Sequence, residues 1–224
     1  MKEIVQLGNS EKHLIFLPGG NIDIHCYLPL LKRLTKHYSV DGVNLLELGT
    51  ANLSESRKWL EEYINECSSY PTIIVAHSLG ADIVKEINSD KITKSILFNS
   101  SIYNPHYSKV NVIFITLLKS LLAPIKYPHL FIFYVRANYY LLKNLVTKPR
   151  KTILHIKQAL NNITNELQVT KPIPNDKLIV IASEKDEYFP NPQQTNVQIV
   201  DGNHEWLMDD IQKSSEFIQN LINS

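Results

Sequence analysis

The stretch from Pro71 to Gly80, Pro-Thr-Ile-Ile-Val-Ala-His-Ser-Leu-Gly, constrains the fold of this chain more than any other. Thr72-Ile73-Ile74-Val75 has high β-propensity and reads as a buried strand. Within four residues it gives way to Ala81-Asp82-Ile83-Val84-Lys85-Glu86-Ile87, whose apolar residues recur at helical spacing. A strand that turns this sharply into a helix needs small residues two before and two after its tip, because the two elements pass close together there. Ala76 and Gly80 meet that demand. The tip is Ser78, and such a turn strains its backbone so that the hydroxyl stands clear of the sheet. The ordinary alternative is a strand-to-helix turn with a surface serine, since short motifs also match by chance. The rest of the chain has to separate the two.

A chain of 224 residues fits one domain with room for an inserted sub-domain. Its 44% apolar and 20% charged residues are the values of a soluble globular protein. A net charge of +1, with no basic run and no aromatic platform, argues against a nucleic-acid partner. Cys26 and Cys67 lack metal-like spacing and fit a reducing compartment, although two cysteines leave a disulfide open. Scattered histidines and carboxylates show no ligand spacing, so neither metal nor cofactor is expected. Met1 to Gly8 has no signal-peptide core, and the apolar stretches are too short or too interrupted to cross a bilayer. The expected location is the cytoplasm.

Ile4 to Leu7 is a short strand candidate, and His13-Leu14-Ile15-Phe16-Leu17 is a stronger one that runs into Pro18-Gly19-Gly20-Asn21. An apolar strand ending in a double glycine suggests a loop whose backbone N–H groups face a ligand. A hairpin or capping turn is the ordinary alternative. Cys26 to His37 has helical periodicity. Tyr38-Ser39-Val40 begins a strand interrupted at Asp41-Gly42, and Val43 to Leu48 is apolar. Asn52 or Ser54 can cap a helix to about Cys67, with Trp59, Leu60, Tyr63 and Ile64 on its inner face. After the Ser78 turn, Ser95 to Ser100 is another strand. This alternation predicts a mostly parallel sheet with helices on both faces, which places ligands at the carboxyl ends of the strands. The glycine loop and Ser78 both lie there.

From 102 to 170 the alternation breaks. The segment is apolar and helical in pattern, cut by Pro105, Pro124, Pro128 and Pro149, with helix candidates at Val112–Leu122, Phe131–Leu145 and Thr152–Leu167. Because it leaves the sheet at the ligand edge, it reads as a lid on a core made of 1–101 and 171–224. Lys177 to Ser183 resumes the sheet and is followed by Glu184-Lys185-Asp186-Glu187. Val197 to Val200 is the last strand, followed by Asp201-Gly202-Asn203-His204. An amphipathic helix from about Glu205 to Ile222 ends the chain.

Three strand ends therefore carry Ser78, Asp186 and His204 in that order. A histidine that takes the serine proton and an acid that orients the imidazole would make the hydroxyl a nucleophile. His13, His25, His37, His77, His106, His129 and His155 compete for the base, but only His204 lies between the last strand and the last helix. Glu184 and Glu187 compete with Asp186. Strand alternation turns His77 away from Ser78 and makes it a packing residue.

With Pro18-Gly19-Gly20-Asn21, Ala76-His77-Ser78-Leu79-Gly80, Ser183-Glu184-Lys185-Asp186 and Gly202-Asn203-His204 in this order, the chain resembles a small, lid-bearing α/β-hydrolase. The resemblance runs over nearly its whole length. It departs in having Pro18-Gly19 where the family commonly has His-Gly, Ala76 at the first elbow glycine, and a shortened N-terminus. It implies Ser78 as nucleophile, His204 as base, Asp186 as orienting acid, and oxyanion donors at the backbone N–H of Leu79 and of Gly20, with Asn21 as the alternative to Gly20. The implied activity is serine-dependent hydrolysis of a carboxylic ester through an acyl-enzyme. The apolar lid content points to an apolar acyl group. Three other readings stay open: a thioesterase or esterase of acyl groups held on a carrier protein, a catalytically silent binding protein on the same fold, and, less favoured, a lipase docked on a membrane surface by its lid.

Overall fold

Among the described residues seven strands form one sheet: β1 (Ile4–Leu7), β2 (His13–Leu17), β3 (Ser39–Val43), β4 (Thr72–His77), β5 (Ile92–Phe98), β6 (Leu178–Ser183) and β7 (Gln198–Val200). The order across the sheet is β1-β3-β2-β4-β5-β6-β7, with only β1 antiparallel to its neighbour. The computed structural model describes residues 4–20, 22–48, 52–67, 71–87, 89–100, 127–161, 177–187 and 197–224. The helices among them are α1 (Leu28–Leu34), α2 (Leu45–Leu48), α3 (Leu53–Cys67), α4 (Leu79–Val84), α5 (Phe131–Thr147), α6 (Pro149–Asn161) and α7 (Ile211–Asn223).

The central strands are apolar on both faces, as buried parallel strands must be. Successive residues of β2 feed two separate cores. Leu14 and Phe16 join Val75, Phe98 and Ile181 in one, with α1 and α7 packed over it. Ile15 and Leu17 join Ile74, Ala76 and Leu97 in the other, under α3 and α4. From β2 the chain turns outward to β3, then crosses back to β4 on the opposite side. A crevice opens at the carboxyl ends of strands where the winding reverses in this way. Because Leu17 pairs with Ala76, the residues that follow each, Pro18–Gly20 and His77–Ser78, emerge side by side.

Several boundaries differ from the sequence expectation. Asp41-Gly42 does not interrupt β3. A Cβ at Gly42 would come within 2.7 Å of Ile24 and 2.9 Å of Leu31, so the glycine serves the packing of α1 and the preceding turn. The apolar run after Val43 becomes the short helix α2 rather than more strand. Asn52, not Ser54, caps α3, its side chain accepting from the Glu55 amide at 2.9 Å. The last helix begins later than its apolar pattern. A 3-10 turn, Trp206–Met208, comes first, and Asp210 caps α7 by accepting from the amides of Gln212 and Lys213.

Of the three helices expected between 102 and 170, Phe131–Leu145 is α5 with two further residues. The third starts at Pro149, where a missing N–H costs the helix nothing. The candidate Val112–Leu122 and the residues beyond 161 lie outside the described residues.

Candidate active site

The turn after β4 is as tight as its residues require. Ser78 sits at φ 51°, ψ −118°, a conformation that costs a non-glycine residue about 1–3 kcal/mol. Its amide donates to the Phe98 carbonyl at 2.8 Å, and the Gly80 amide donates to the Pro18 carbonyl at 3.2 Å. A Cβ at Gly80 would stand 2.7 Å from both Leu17 Cβ and the Pro18 oxygen. Glycine is therefore obligatory two residues after the serine, whereas Ala76 is fully buried opposite Leu17 without conflict.

The structure brings Ser78, His204 and Asp186 together from three strand ends. Nε2 of His204 lies 2.9 Å from Oγ of Ser78, and Nδ1 of His204 lies 2.8 Å from Oδ2 of Asp186. His204 and Asp186 are buried, and Ser78 is half-buried. The acid loop is pinned from two sides. The Lys185 amide donates to the Gly202 carbonyl at 3.0 Å, and the Asp186 amide donates to the Ser183 carbonyl at 3.2 Å. Among the competing acids, Glu184 is exposed and Glu187 is engaged by the Tyr127 hydroxyl. Three other histidines also face carboxylates: His13 with Asp41, His25 with Asp23, and His129 with Asp209. His13 opens β2, at the amino end of a parallel strand and away from Ser78. Among the described histidines only His204 carries a serine hydroxyl on its second nitrogen.

His77 is fully buried, as expected of a packing residue, but its ring is fully hydrogen-bonded as well. Its Nε2 lies 2.8 Å from the His204 carbonyl oxygen, which can only accept, so Nε2 carries the proton. Nδ1 must then accept, and it takes the Tyr27 hydroxyl proton at 2.9 Å. The Tyr27 oxygen accepts in turn from the Gly19 amide. On the other side, Asn99 donates its Nδ2 to the same His204 carbonyl at 2.7 Å. Its Oδ1 accepts from the Ser183 amide and hydroxyl at 2.8 and 3.0 Å. One line of buried bonds thus ties the glycine loop, the Ser78 turn, the His204 loop and the start of the acid loop to one another. Burial holds the His77 imidazole down to a pKa of about 4, so it stays neutral in this role. Desolvation likewise keeps the Tyr27 phenol protonated.

Tyr27 and Asn99 carry no recognisable sequence signal as site residues. Tyr27 reads as one more apolar position before α1. Asn99 follows an ordinary strand, and only its φ of 50°, a left-handed value that asparagine tolerates, marks it.

The glycine loop passes beside the serine. A Cβ on Gly19 would lie 3.4 Å from Ser78 Cβ and 3.2 Å from Nδ1 of His77. The Leu79 amide opens α4, where no intrahelical acceptor exists for it. Gly20 is half-buried at the end of the loop; Asn21 lies outside the described residues.

Helices α5 and α6 lean on the loops at the carboxyl edge. Asp23, buried after β2, accepts from Asn144 of α5 at 3.1 Å, from Asn44 at 3.0 Å and from the His25 amide at 2.9 Å, with the His25 ring 2.6 Å away. Burial alone would raise the Asp23 carboxyl; the His25 and Asn44 hydrogen bonds outweigh it, and its pKa is lowered. Tyr140 stacks on His25, and Phe133 meets Tyr27 edge-on at 5.7 Å. Lys148 pairs with Glu47 at 2.5 Å. Cys26 beneath them is a free, buried thiol pushed up to a pKa of about 12 by desolvation, and so is unreactive.

No protein-family model matches the sequence, and no curated protein matches it. Solved structures do match along nearly its full length. A variant of an epoxide hydrolase from Bacillus megaterium has TM-score 0.70 at 13% identity, covering 99% of this chain and 96% of that one. A lipase-esterase related protein from Clostridium acetobutylicum has TM-score 0.67 at 15% identity, covering 97% and 98%. The NocB thioesterase domain, solved as a covalent complex with a fluorophosphonate nocardicin G analogue, has TM-score 0.65 at 13% identity, covering 99% and 100%. Identities this low speak for the fold.

Proposed function

The chain has the α/β-hydrolase fold, and on it we propose a serine hydrolase that cleaves a carboxylic ester with an apolar acyl group. The observation that carries this reading is the unbroken line from Asp186 through His204 to the hydroxyl of Ser78. Ser78 Oγ attacks the ester carbonyl carbon as its proton passes to Nε2 of His204, and Asp186 stabilises the imidazolium through Nδ1–H. The tetrahedral oxyanion is held by the backbone N–H of Leu79 and of Gly20, with Asn21 the alternative second donor; each such donor is worth roughly 3 kcal/mol in enzymes where one has been removed. The imidazolium then protonates the leaving alcohol. Water, deprotonated by His204, releases the acid and restores Ser78.

The acyl chain lies under α5 and α6, which act as a lid. Leu130, in the turn just before α5, and Phe133 of α5 join the same apolar cluster as Tyr27 and Trp206. A thioester would be attacked by the same groups, and a thioesterase domain is among the structural neighbours. The test is labelling by a fluorophosphonate probe followed by a screen of p-nitrophenyl esters against acyl thioesters. Labelling at Ser78, and turnover that vanishes in Ser78→Ala, support the proposal, and the preferred leaving group separates ester from thioester. Absence of labelling at neutral pH, or turnover equal to wild type in Ser78→Ala, removes it.

A further inference from the structure

Helix α5 has two apolar faces, and only one is used. Phe133, Ala137, Tyr140 and Asn144 turn inward onto the core and Asp23. Phe131, Ile132, Val135, Tyr139, Leu142 and Val146 are all exposed, Leu142 by 63% and Val146 by 82%. At helical spacing these six fall within one arc of about 100°, so they form a continuous stripe along an element roughly 25 Å long. A helix apolar on both sides is normally covered on both sides. Single exposed hydrophobics are common, but a stripe of six is not.

The charge around the stripe names its cover. Residues 127–161 hold six Lys/Arg and no Asp/Glu, although the whole chain holds 23 and 22. No acidic residue occurs anywhere between Asp90 and Glu166. The near-zero total therefore hides a basic insertion on an acidic remainder. Arg136 and Lys143, both exposed, follow the arc on its border, and Lys143 leans over the Tyr140 ring at 5.8 Å.

We propose that this face of α5 docks on the surface of an anionic phospholipid bilayer, with the helix axis in the membrane plane. An apolar face with Phe, Tyr, Leu and Val, flanked on one edge by Arg136 and Lys143 and on a helix without a single acidic residue, has the composition of a helix seated at the headgroup–acyl boundary. Its Lys and Arg reach up to phosphate along apolar stems. No helix among the described residues is long and apolar enough to cross a membrane, so the contact is peripheral. A second copy of the chain fits the stripe less well, because pairing it would bring two helices with cations and no acidic residue together. A polyanion without an apolar phase would leave the six side chains in water. The proposal stands on the surface of the insertion and does not need Ser78 to be a nucleophile.

The test uses the full chain with sucrose-loaded vesicles of equimolar phosphatidylglycerol and phosphatidylcholine, and of phosphatidylcholine alone. Wild type and Ser78→Ala are expected to co-sediment equally with the anionic vesicles, and at least about tenfold more weakly with the neutral ones. Lys143→Ala weakens the anionic partition about fivefold. The double variant Leu142→Glu, Val146→Glu abolishes it, while its circular dichroism and thermal midpoint stay those of wild type, since both positions are exposed. Wild type that stays in the supernatant with both vesicles overturns the proposal, as does a double variant that binds like wild type. A dimer that the double variant dissociates would assign the stripe to a second copy. Capture by polyglutamate that depends on Leu142 and Val146 would assign it to an acidic protein; either result also overturns the lipid assignment.

Discussion

Removing the hydroxyl oxygen of Tyr27 tests whether the buried line behind the serine positions the reacting groups. In wild type that oxygen accepts a hydrogen bond from the Gly19 amide and its O–H donates one to Nδ1 of His77. Tyr27 and His77 both have 0% exposure, so no water reaches either group in Tyr27→Phe. Each buried group left unpaired costs about 1–3 kcal/mol, and the variant should lose about 2–4 kcal/mol in urea unfolding. Activity should fall for a separate reason. The Gly19–Gly20 loop loses one of its ties to the turn that carries Ser78, keeping the Gly80 amide on the Pro18 carbonyl, and a displaced oxyanion donor acts in the transition state more than in the bound substrate. On a p-nitrophenyl ester, kcat is expected to fall roughly ten- to a hundredfold with KM nearly unchanged. His77→Gln, whose amide can both donate to the His204 carbonyl and accept from Tyr27, should retain more of kcat than His77→Phe. A Tyr27→Phe enzyme with wild-type kcat, or one whose loss lies wholly in KM, would refute the reasoning and leave Tyr27 a packing residue.

Other expectations follow from the same geometry. His204→Ala should be folded by circular dichroism and inactive on the same ester. Asp186→Asn should keep its fold and lose about 10³- to 10⁴-fold in kcat, because the imidazole is then held in the wrong tautomer. Gly80→Ala places a methyl carbon 2.7 Å from Leu17 Cβ and the Pro18 oxygen; it should destabilise by about 1–3 kcal/mol and reduce fluorophosphonate labelling, which chemical unfolding and gel fluorescence would show. Burial lowers both His77 and His155 from 6.5 to about 4. The unfolded chain therefore takes up protons first as pH falls. The stability that the two neutral rings lend is complete above pH 6.5 and is lost between 6.5 and about 4, at about 3 kcal/mol for each ring. Urea titrations across that window should show the loss, and His155→Gln should about halve it.

Much of the fold was already legible in local sequence. β2 and β4 announce themselves as apolar runs because strands buried on both faces leave no room for polar alternation. The Ser78 turn announces itself because only small residues fit at Ala76 and Gly80, and His204 because it follows the last strand. Boundaries were less legible where a distant neighbour decides them. Gly42 looks like a break until Ile24 and Leu31 arrive to use its missing side chain, and Asp210 sets the start of α7 against an apolar pattern that begins earlier.

The sequence by itself determined the alternation of strands and helices and the chain order of Ser78, Asp186 and His204, since propensity and spacing are properties of neighbouring residues. Only the tertiary structure decided that Asp186 rather than Glu184 or Glu187 faces the imidazole, and that His77, Tyr27 and Asn99 join the glycine loop, the Ser78 turn, the His204 loop and the start of the acid loop. It alone decided that one apolar face of α5 is left outside. Each of these depends on which residues from different elements meet, 18 positions apart for Asp186 and His204 and 127 for His77 and His204, or on which side of a helix the core lies, and hydrogen-bond partners and burial are fixed only by that meeting.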